Sequence, residues 1–439
     1  MGSAAFSSPA RRASPRPPAP EREPDREVSV AQLRRLINEA AIVSTRSPED
    51  ASVAVDTLRV LSAQAVGPDR DPAPLLIREV IASLTQCWER GWQPLDVEHV
   101  LRRQSTVKAA TWVAQAILAE AVQSSAPQRA PQEWCGQLDA LAEDIGRVLP
   151  AVELLRVGGR ATDAEWTTAL TVLGWLRALP ATQLLMPRPS SWSRVDEAPA
   201  RSAGTRTAST GTASDPKLLT RIRALLAKAE GTDYPHEAEA LTAKAQDLMT
   251  RHAIDEALLH AQAGDSITVI GRRIHIDNPY ALEKATLLNG VAGANRAQAA
   301  WSDFAASMTI VGVPTDLDQI EMLFTSLLIQ ATRAMTEAGD STGAHSTNRS
   351  SAFRRSFLLA YATRIGQRLD TASEQAKLTY GTELVPVFAR QDAAVGAEYE
   401  RLFPNVTAAK VGRTLNRRGW EAGTDAADRA VMPSAQVER

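Results

Sequence analysis

Two arginines share one face of a helix that the sequence predicts over residues 351–376. At the α-helical period, Tyr361 and Ile365 flank Arg354 on an apolar face, and Arg368 falls on that same face. A guanidinium on a buried face needs partners, because an unpaired buried charge is very costly. The surroundings of Arg354 and Arg368 therefore decide whether this helix binds an anion.

Three interpretations of Arg354 and Arg368 follow from these positions. Both lie near helix ends, so their charged groups can reach water along their aliphatic stems. Alternatively, they pair with internal acids such as Glu321 or Asp318, which would be a structural role. In the third interpretation they form an anion pocket for phosphate or carboxylate, the groups that fit a guanidinium fork.

Two other patterns suggest catalysis or metal binding, but their context argues against both. Residues 339–343 match G-x-S-x-G with His345 close by, yet a nucleophile elbow follows a strand, and here a predicted helix precedes. We therefore interpret this segment as a loop between helices. Of three further histidines, His236, His252 and His260, the first two fall on nearly opposite faces of one helix. We predict no metal site there.

Composition excludes several classes of protein. The chain has 49 Lys and Arg against 51 Asp and Glu, so it has no histone-like excess of positive charge. The two cysteines, Cys87 and Cys135, are too few for a disulfide framework or a cysteine-rich zinc site. The P-loop, dinucleotide-binding and zincin motifs are missing from the sequence, so we predict no cofactor. No apolar run reaches the roughly 18 residues of a membrane span, so we expect no membrane partner.

Residues 75–104 have the outline of a helix-turn-helix, with Gly91 in the turn. The second helix carries His99, Arg102 and Arg103, which would be its DNA-contacting residues. Any antiparallel helix pair has the same outline, and two arginines form a small recognition surface. The structural interpretation is therefore favoured over DNA binding by this element.

Composition and periodicity divide the chain into five segments. Residues 1–27 are rich in Pro and Arg and nearly lack apolar residues, which predicts a disordered tail. Apolar residues at helical spacing predict an all-helical domain over residues 28–186. Residues 187–215 are rich in Pro, Ser and Thr, which is typical of a linker. A helical hairpin over residues 216–262 then precedes an α+β domain over residues 263–433.

The α+β domain is predicted from a change of hydrophobic period. A bulge is expected at Gly271 and Arg272, inside the first strand. Strands are expected over residues 267–276, 297–301, 308–313 and 385–388. The predicted fold class is mainly α: an all-helical N-terminal domain, a helical hairpin, and an α+β C-terminal domain with a small sheet covered by long helices.

The hairpin has a pattern that is specific enough to compare with known families. A Leu-rich first helix over residues 217–230 is followed by a short Pro-containing turn. The second helix contains EAEA and KAQDLM over residues 237–249, with His252 just beyond. This pattern resembles the bacterial and phage domain of unknown function 2786.

Two other segments extend this resemblance. The helix that begins FRRSFL at residues 353–358, with Arg364 and Arg368 further along, is similar to the companion domain that often follows in the family. Residues 91–94 look like the leader region of actinobacterial members. The resemblance implies this architecture and a bacterial or phage source, and it implies no activity, because none is established for the family.

The family pattern also adds binding candidates to those from the helical face. Glu237, Lys244 and His252 belong to the pattern, although pairing at i, i+4 and helix capping explain them equally well. The candidate anion- or partner-binding residues are therefore Arg354, Arg364, Arg368, Lys244, His252 and Glu237.

These patterns favour a cytoplasmic binding protein, with nucleic acid as the expected partner and another protein as the alternative. Residues 341–380 hold six Lys and Arg against two acids, and residues 401–439 hold seven against four, so both segments are locally basic. One alternative function is a hydrolase in which Arg354 or Arg368 holds an anion beside a carboxylate such as Glu321 or Asp392. The other is a protein-interaction scaffold built on the helical N-terminal domain.

Overall fold

The computed structural model describes residues 28–47, 49–65, 67, 70–155, 161–193, 224–225, 228, 267–340, 350–379, 385–407 and 416–430. These residues are mostly helical, with one small antiparallel sheet in the C-terminal region. The predicted mainly α fold class is therefore confirmed. The tail predicted over residues 1–27 lies outside the described residues, and so does nearly all of the hairpin predicted over 216–262.

The described residues from 28 to 193 form what we call the N-terminal unit. Ser29 and Thr162 start helices with capping boxes, and Asp71 caps another just ahead of Pro72. The helices are α1 (Val30–Arg46), α2 (Ser52–Gln64), α3 (Pro72–Glu89), α4 (Pro94–Gln104), α5 (Val107–Gln123), α6 (Ala126–Arg129), α7 (Gln132–Ile145) and α8 (Asp163–Ala178), with 3-10 turns at Ala151–Glu153 and Pro189–Ser191.

Helix α8 lies at the centre of the first hydrophobic core and contacts α1, α2, α3 and α5. Gly174 lets α1 approach closely, because a Cβ there would collide with the carbonyl oxygen of Ala41. Trp88, Trp134 and Trp192 form a chain of edge-to-face contacts with ring centroids 5.3 Å apart. Trp192, inside the segment predicted as a linker, therefore packs on this core.

The described residues from 267 to 430 form what we call the C-terminal unit. Its strands are β1 (Ile270–His275), β2 (Gln298–Ser302) and β3 (Ser307–Gly312), in the order β1-β3-β2, with both pairs antiparallel. Its helices are α9 (Ala281–Ala294), α10 (Pro314–Asp340), α11 (Ser351–Thr379), α12 (Val385–Leu402) and α13 (Arg417–Arg429).

The two faces of the sheet have different neighbours. Met308 and Ile310 of the central strand β3 belong to the second hydrophobic core, together with residues of α9, α10 and α11. Val311 points to the opposite face, where it contacts Val395 and Leu402 of α12. The sheet is therefore covered on both faces, and every residue of β3 is buried.

The fourth strand predicted over residues 385–388 is wrong, because these residues begin α12. An apolar run of this length does not distinguish a strand from a buried helix segment. Pro386 lies in the first turn of the helix, where the missing N–H has no intrahelical partner to lose.

The bulge predicted at Gly271 and Arg272 is also wrong. The pairing of β1 with β3 runs without an inserted residue from Ile270 to His275. Arg272 and Arg273 interrupt the apolar alternation of β1 for another reason, since each forms an ion pair with an acid from a different element.

Helices α11 and α13 run parallel and pack backbone against backbone. Gly419 faces Phe353, and one turn later Gly423 faces Phe357. A Cβ on either glycine would collide with the carbonyl oxygen of the phenylalanine opposite. The close packing of these two helices therefore requires glycine at both positions.

Substituting Gly423→Ala should lower the free energy of unfolding by about 1–3 kcal/mol, because the added methyl group forces the two helices apart. The matched control is Gly293→Ala in α9, where a Cβ meets no atom within 4 Å. This control should be neutral or stabilising, since alanine favours helix. Urea unfolding followed by far-UV circular dichroism measures both changes. Equal stability of the two variants would contradict the packing described.

Candidate functional site

Three of the six candidate residues, Glu237, Lys244 and His252, lie outside the described residues. The same holds for the other two histidines of that region and for most of the G-x-S-x-G segment. The other three candidates, Arg354, Arg364 and Arg368, lie on α11 and have three different surroundings.

Arg354 is exposed, so its charged group reaches water, which agrees with the first of the three interpretations although the helical face predicts a buried position. It occupies the first turn of α11. The helical period gives the direction of a side chain around the helix axis, but it does not show which residues along the helix other elements cover. Arg368 is half-buried and donates to the carbonyl oxygens of Ala427 and Ala430 at the C-terminal end of α13. These two arginines therefore do not form one anion pocket.

The acids expected to accompany the arginines have other partners. Asp318 and Glu321 both accept from Arg272 of β1, at 2.8 and 3.3 Å. Arg364 forms an ion pair with Asp428 of α13 at 2.5 Å. Of the two carboxylates named for a hydrolase, Glu321 therefore pairs with an arginine of β1, and Asp392 is exposed.

The N-terminal ends of α11 and α13 lie side by side. The backbone N–H of Asn416 donates to the Ser356 hydroxyl at 2.7 Å, which joins the start of α13 to α11. Four exposed arginines occupy the first turns of these two helices, and we call this surface the basic end: Arg354, Arg355, Arg417 and Arg418.

The charge of the basic end is only partly neutralised. Arg355 pairs with Glu283 at 3.2 Å, and Arg417 pairs with Glu421 at 2.8 Å. Arg354 and Arg418 have no ion pair with any residue that the structure describes. Two helix N-termini add positive partial charge at the same place. This arrangement suits an anion that carries several negative charges.

A second cluster of charged residues lies where α4 meets β1. Arg273 of β1 forms a fully buried ion pair with Asp96, with side chains 4% and 2% exposed. Its guanidinium also donates to the carbonyl oxygens of Gly91 and Gln183, at 3.2 and 2.6 Å, and to the Thr182 hydroxyl at 3.2 Å. All four acceptors belong to the N-terminal unit, and we call them the guanidinium socket.

Gly91 makes the socket possible. Its φ of +93° favours glycine, and a Cβ there would lie 2.6 Å from the carbonyl oxygen of Thr182. The backbone of residues 182–183 therefore approaches the turn before α4 closely enough for both to contact Arg273.

Two histidines complete this cluster. The Nε2 of His275 lies 2.8 Å from the Asp96 carboxylate, and its ring centroid lies 4.6 Å from that of His99. Burial opposes the charge on Asp96, but Arg273 and His275 outweigh burial and hold the pKa of Asp96 below its ordinary value. Burial lowers the pKa of His99 to about 4, and the nearby His275 adds to this effect.

Helix α4 is the second helix of the predicted helix-turn-helix, and its polar face is turned towards the C-terminal unit. His99 is buried, and Arg103 donates to the Asn278 side chain at 3.0 Å. Arg102 pairs with Glu98 on its own helix. These contacts favour the structural interpretation of this element over DNA binding.

Neither a metal site nor a membrane span is found in the described part of the chain. No group of three or more His, Cys, Asp or Glu side chains there is placed to hold a metal ion. No helix there combines the length and the apolar character that crossing a bilayer requires.

Comparison with known families gives one match, in the segment predicted as a hairpin. Residues 217–256 match the family DUF2786, a protein of unknown function. This confirms the resemblance of that segment, while the companion domain and the bacterial or phage source stay predictions. No curated protein and no solved structure matches the chain. The DUF2786 match does not include α11, α13 or α4. The roles of the basic end and the socket are therefore inferred from the contacts and charges of their residues.

Asp96, Arg273 and His275 were not predicted as a group from the sequence. A signal was present, because two adjacent arginines interrupt an otherwise apolar strand. The partner was not predictable, since Asp96 and Arg273 are 177 residues apart in the chain.

Substituting Asp96→Ala should lower the free energy of unfolding by about 3–5 kcal/mol at pH 7, because it leaves Arg273 without its countercharge. The control is Asp56→Ala, which breaks an exposed pair with Arg59 and should change stability by less than about 1 kcal/mol. Urea unfolding of the full chain measures both. A change for Asp96→Ala as small as that of the control would show that the socket does not contribute to stability.

Proposed function

We propose that this protein binds nucleic acid through the basic end. The observation that carries the proposal is the placement of four exposed arginines on the adjoining first turns of α11 and α13. Each presents a guanidinium fork that fits phosphate oxygens, and two helix N-termini reinforce the positive potential.

The pattern of ion pairs supports a polyanion as the ligand. Glu283 and Glu421 each accept from one arginine of the basic end, so two of its four positive charges have partners. Arg354 and Arg418 retain their charge for a partner outside the part of the chain that the structure describes. A nucleic-acid backbone offers regularly spaced phosphates, and each contact releases a condensed counterion.

The sequence around the basic end has the same charge bias. The segments that contain α11 and α13 are locally basic in a chain whose net charge is −2. A local excess of arginine in a nearly neutral chain is typical of a surface that binds nucleic acid. No base-reading element follows from these contacts, so the proposed binding depends on the backbone phosphates rather than on sequence.

Titrating labelled single- and double-stranded oligonucleotides with the full chain, across a series of salt concentrations, tests the proposal. Binding should weaken linearly in log K against log salt. The double variant Arg354→Ala/Arg418→Ala should reduce the magnitude of that slope by about two and weaken binding at least about tenfold near 0.1 M salt.

The control is the double variant Arg59→Ala/Arg333→Ala, which removes the same charge from exposed positions on α2 and α10. It should retain the affinity and the salt slope of the unmodified chain. Loss of binding to the same degree in both variants would indicate a nonspecific effect of net charge. Absence of binding at low salt would exclude the proposed function.

A further inference from the structure

The contact between the N-terminal and C-terminal units is centred on four titratable or charged side chains. Asp96 and His99 come from α4, and Arg273 and His275 come from β1. We call these four residues the latch. The strand supplies the guanidinium of Arg273 and the ring of His275, and the helix supplies the carboxylate of Asp96, so the latch holds only when the two units are together.

Both polar and apolar contacts join the units besides the latch, and Ala305 of the C-terminal unit packs in the first hydrophobic core. Gln104 donates to the carbonyl oxygen of Phe304 at 3.1 Å, and the Phe304 ring lies edge-on to Trp92. Leu185 packs beside the small apolar cluster of Val311. Interfaces of this kind between domains permit relative motion, unlike large hydrophobic ones.

His99 is the member of the latch that least tolerates a positive charge. Its side chain is 9% exposed, and its Nε2 is buried without a hydrogen-bond partner in the described structure. The groups that face it are His275 at the end of β1, Asp277 just beyond that strand, and Arg103 and Asp96 from α4. The nearest carboxylate oxygen, on the largely exposed Asp277, lies 3.7 Å from Nδ1.

We propose that the latch is acid-sensitive: protonation of His99 releases the N-terminal unit from the sheet of the C-terminal unit. A proton on the buried ring adds a desolvated charge beside the His275 ring. Release of the N-terminal unit lets water solvate both histidines, which removes the free-energy cost of the desolvated charge. It also exposes the face of β1 that carries Arg273 and His275.

The direction of the pH dependence follows from proton linkage. In the closed arrangement His99 has a pKa of about 4, against an ordinary value of 6.5 when it is solvated. The open arrangement therefore binds the proton more readily. The closed form is favoured near neutral pH, and its population falls as the pH drops from 6.5 towards 4. The opening equilibrium should shift about 20-fold towards release between pH 7 and pH 5.

Asp96 does not reverse this trend. Its pKa lies below the ordinary carboxyl value in the closed form, so it stays ionised and paired with Arg273 between pH 7 and pH 5. Protonation of Asp96 would weaken the latch only at still lower pH.

Small-angle X-ray scattering of the full chain between pH 7.5 and pH 4.5, with far-UV circular dichroism at each pH, tests the latch. The radius of gyration should rise below about pH 6 while the helical signal stays constant. The non-titrating variants His99→Gln and His99→Leu should stay compact to lower pH, and either one that retains its helical signal is sufficient for the comparison.

The Arg273→Ala variant should have a raised radius of gyration at every pH, because the substitution removes the guanidinium that binds the four acceptors of the socket. Its matched control is Arg272→Ala, on the adjacent residue of the same strand, whose partners Asp318 and Glu321 belong to the C-terminal unit. This control should remain compact at pH 7.5.

Three results would overturn the proposal. The first is a constant radius of gyration in the unmodified chain. The second is expansion of the His99 variants at the same pH as the unmodified chain. The third is loss of the helical signal together with expansion, which would indicate unfolding of the units rather than their release.

Discussion

A buried carboxylate must find positive partners, and Asp96 meets this requirement with residues from the other half of the chain. Its two oxygens accept from the guanidinium of Arg273 and lie within hydrogen-bond distance of His275. One of them also accepts from the backbone of Gln93 and so orders the start of α4. The same side chain therefore positions a helix and joins that helix to a strand, and these partners offset the loss of water around its charge.

The role of each of these arginines depends on how many hydrogen-bond acceptors surround its guanidinium. Arg273 is surrounded by four acceptors and is a buried structural residue. Arg368 is held by carbonyl oxygens at a helix end. Arg354 and Arg418 lie on adjoining helix starts and keep their charge exposed. The proposed binding of nucleic acid depends on this last setting, where a guanidinium gains a phosphate without losing an internal partner.

Close packing of α11 against α13 connects the second core to the basic end. Gly419 and Gly423 bring the two backbones together, and this places the two helix starts side by side. Two pairs of adjacent arginines, far apart from each other in the sequence, thereby form one surface. The latch lies elsewhere, between β1 and α4, so the two proposals depend on separate residues and are tested separately.

The sequence by itself determined the mainly α composition, the strands that became β1, β2 and β3, and the DUF2786 pattern, because hydrophobic period and family motifs are local properties. It also identified α11 and its arginines. It did not determine that Arg354 is exposed or that residues 385–388 are helical, since a period does not show which elements cover a helix. Only the tertiary structure decided that Asp96 meets Arg273 and His275, because a buried charge is paired by whatever the fold brings to it, however distant in the chain.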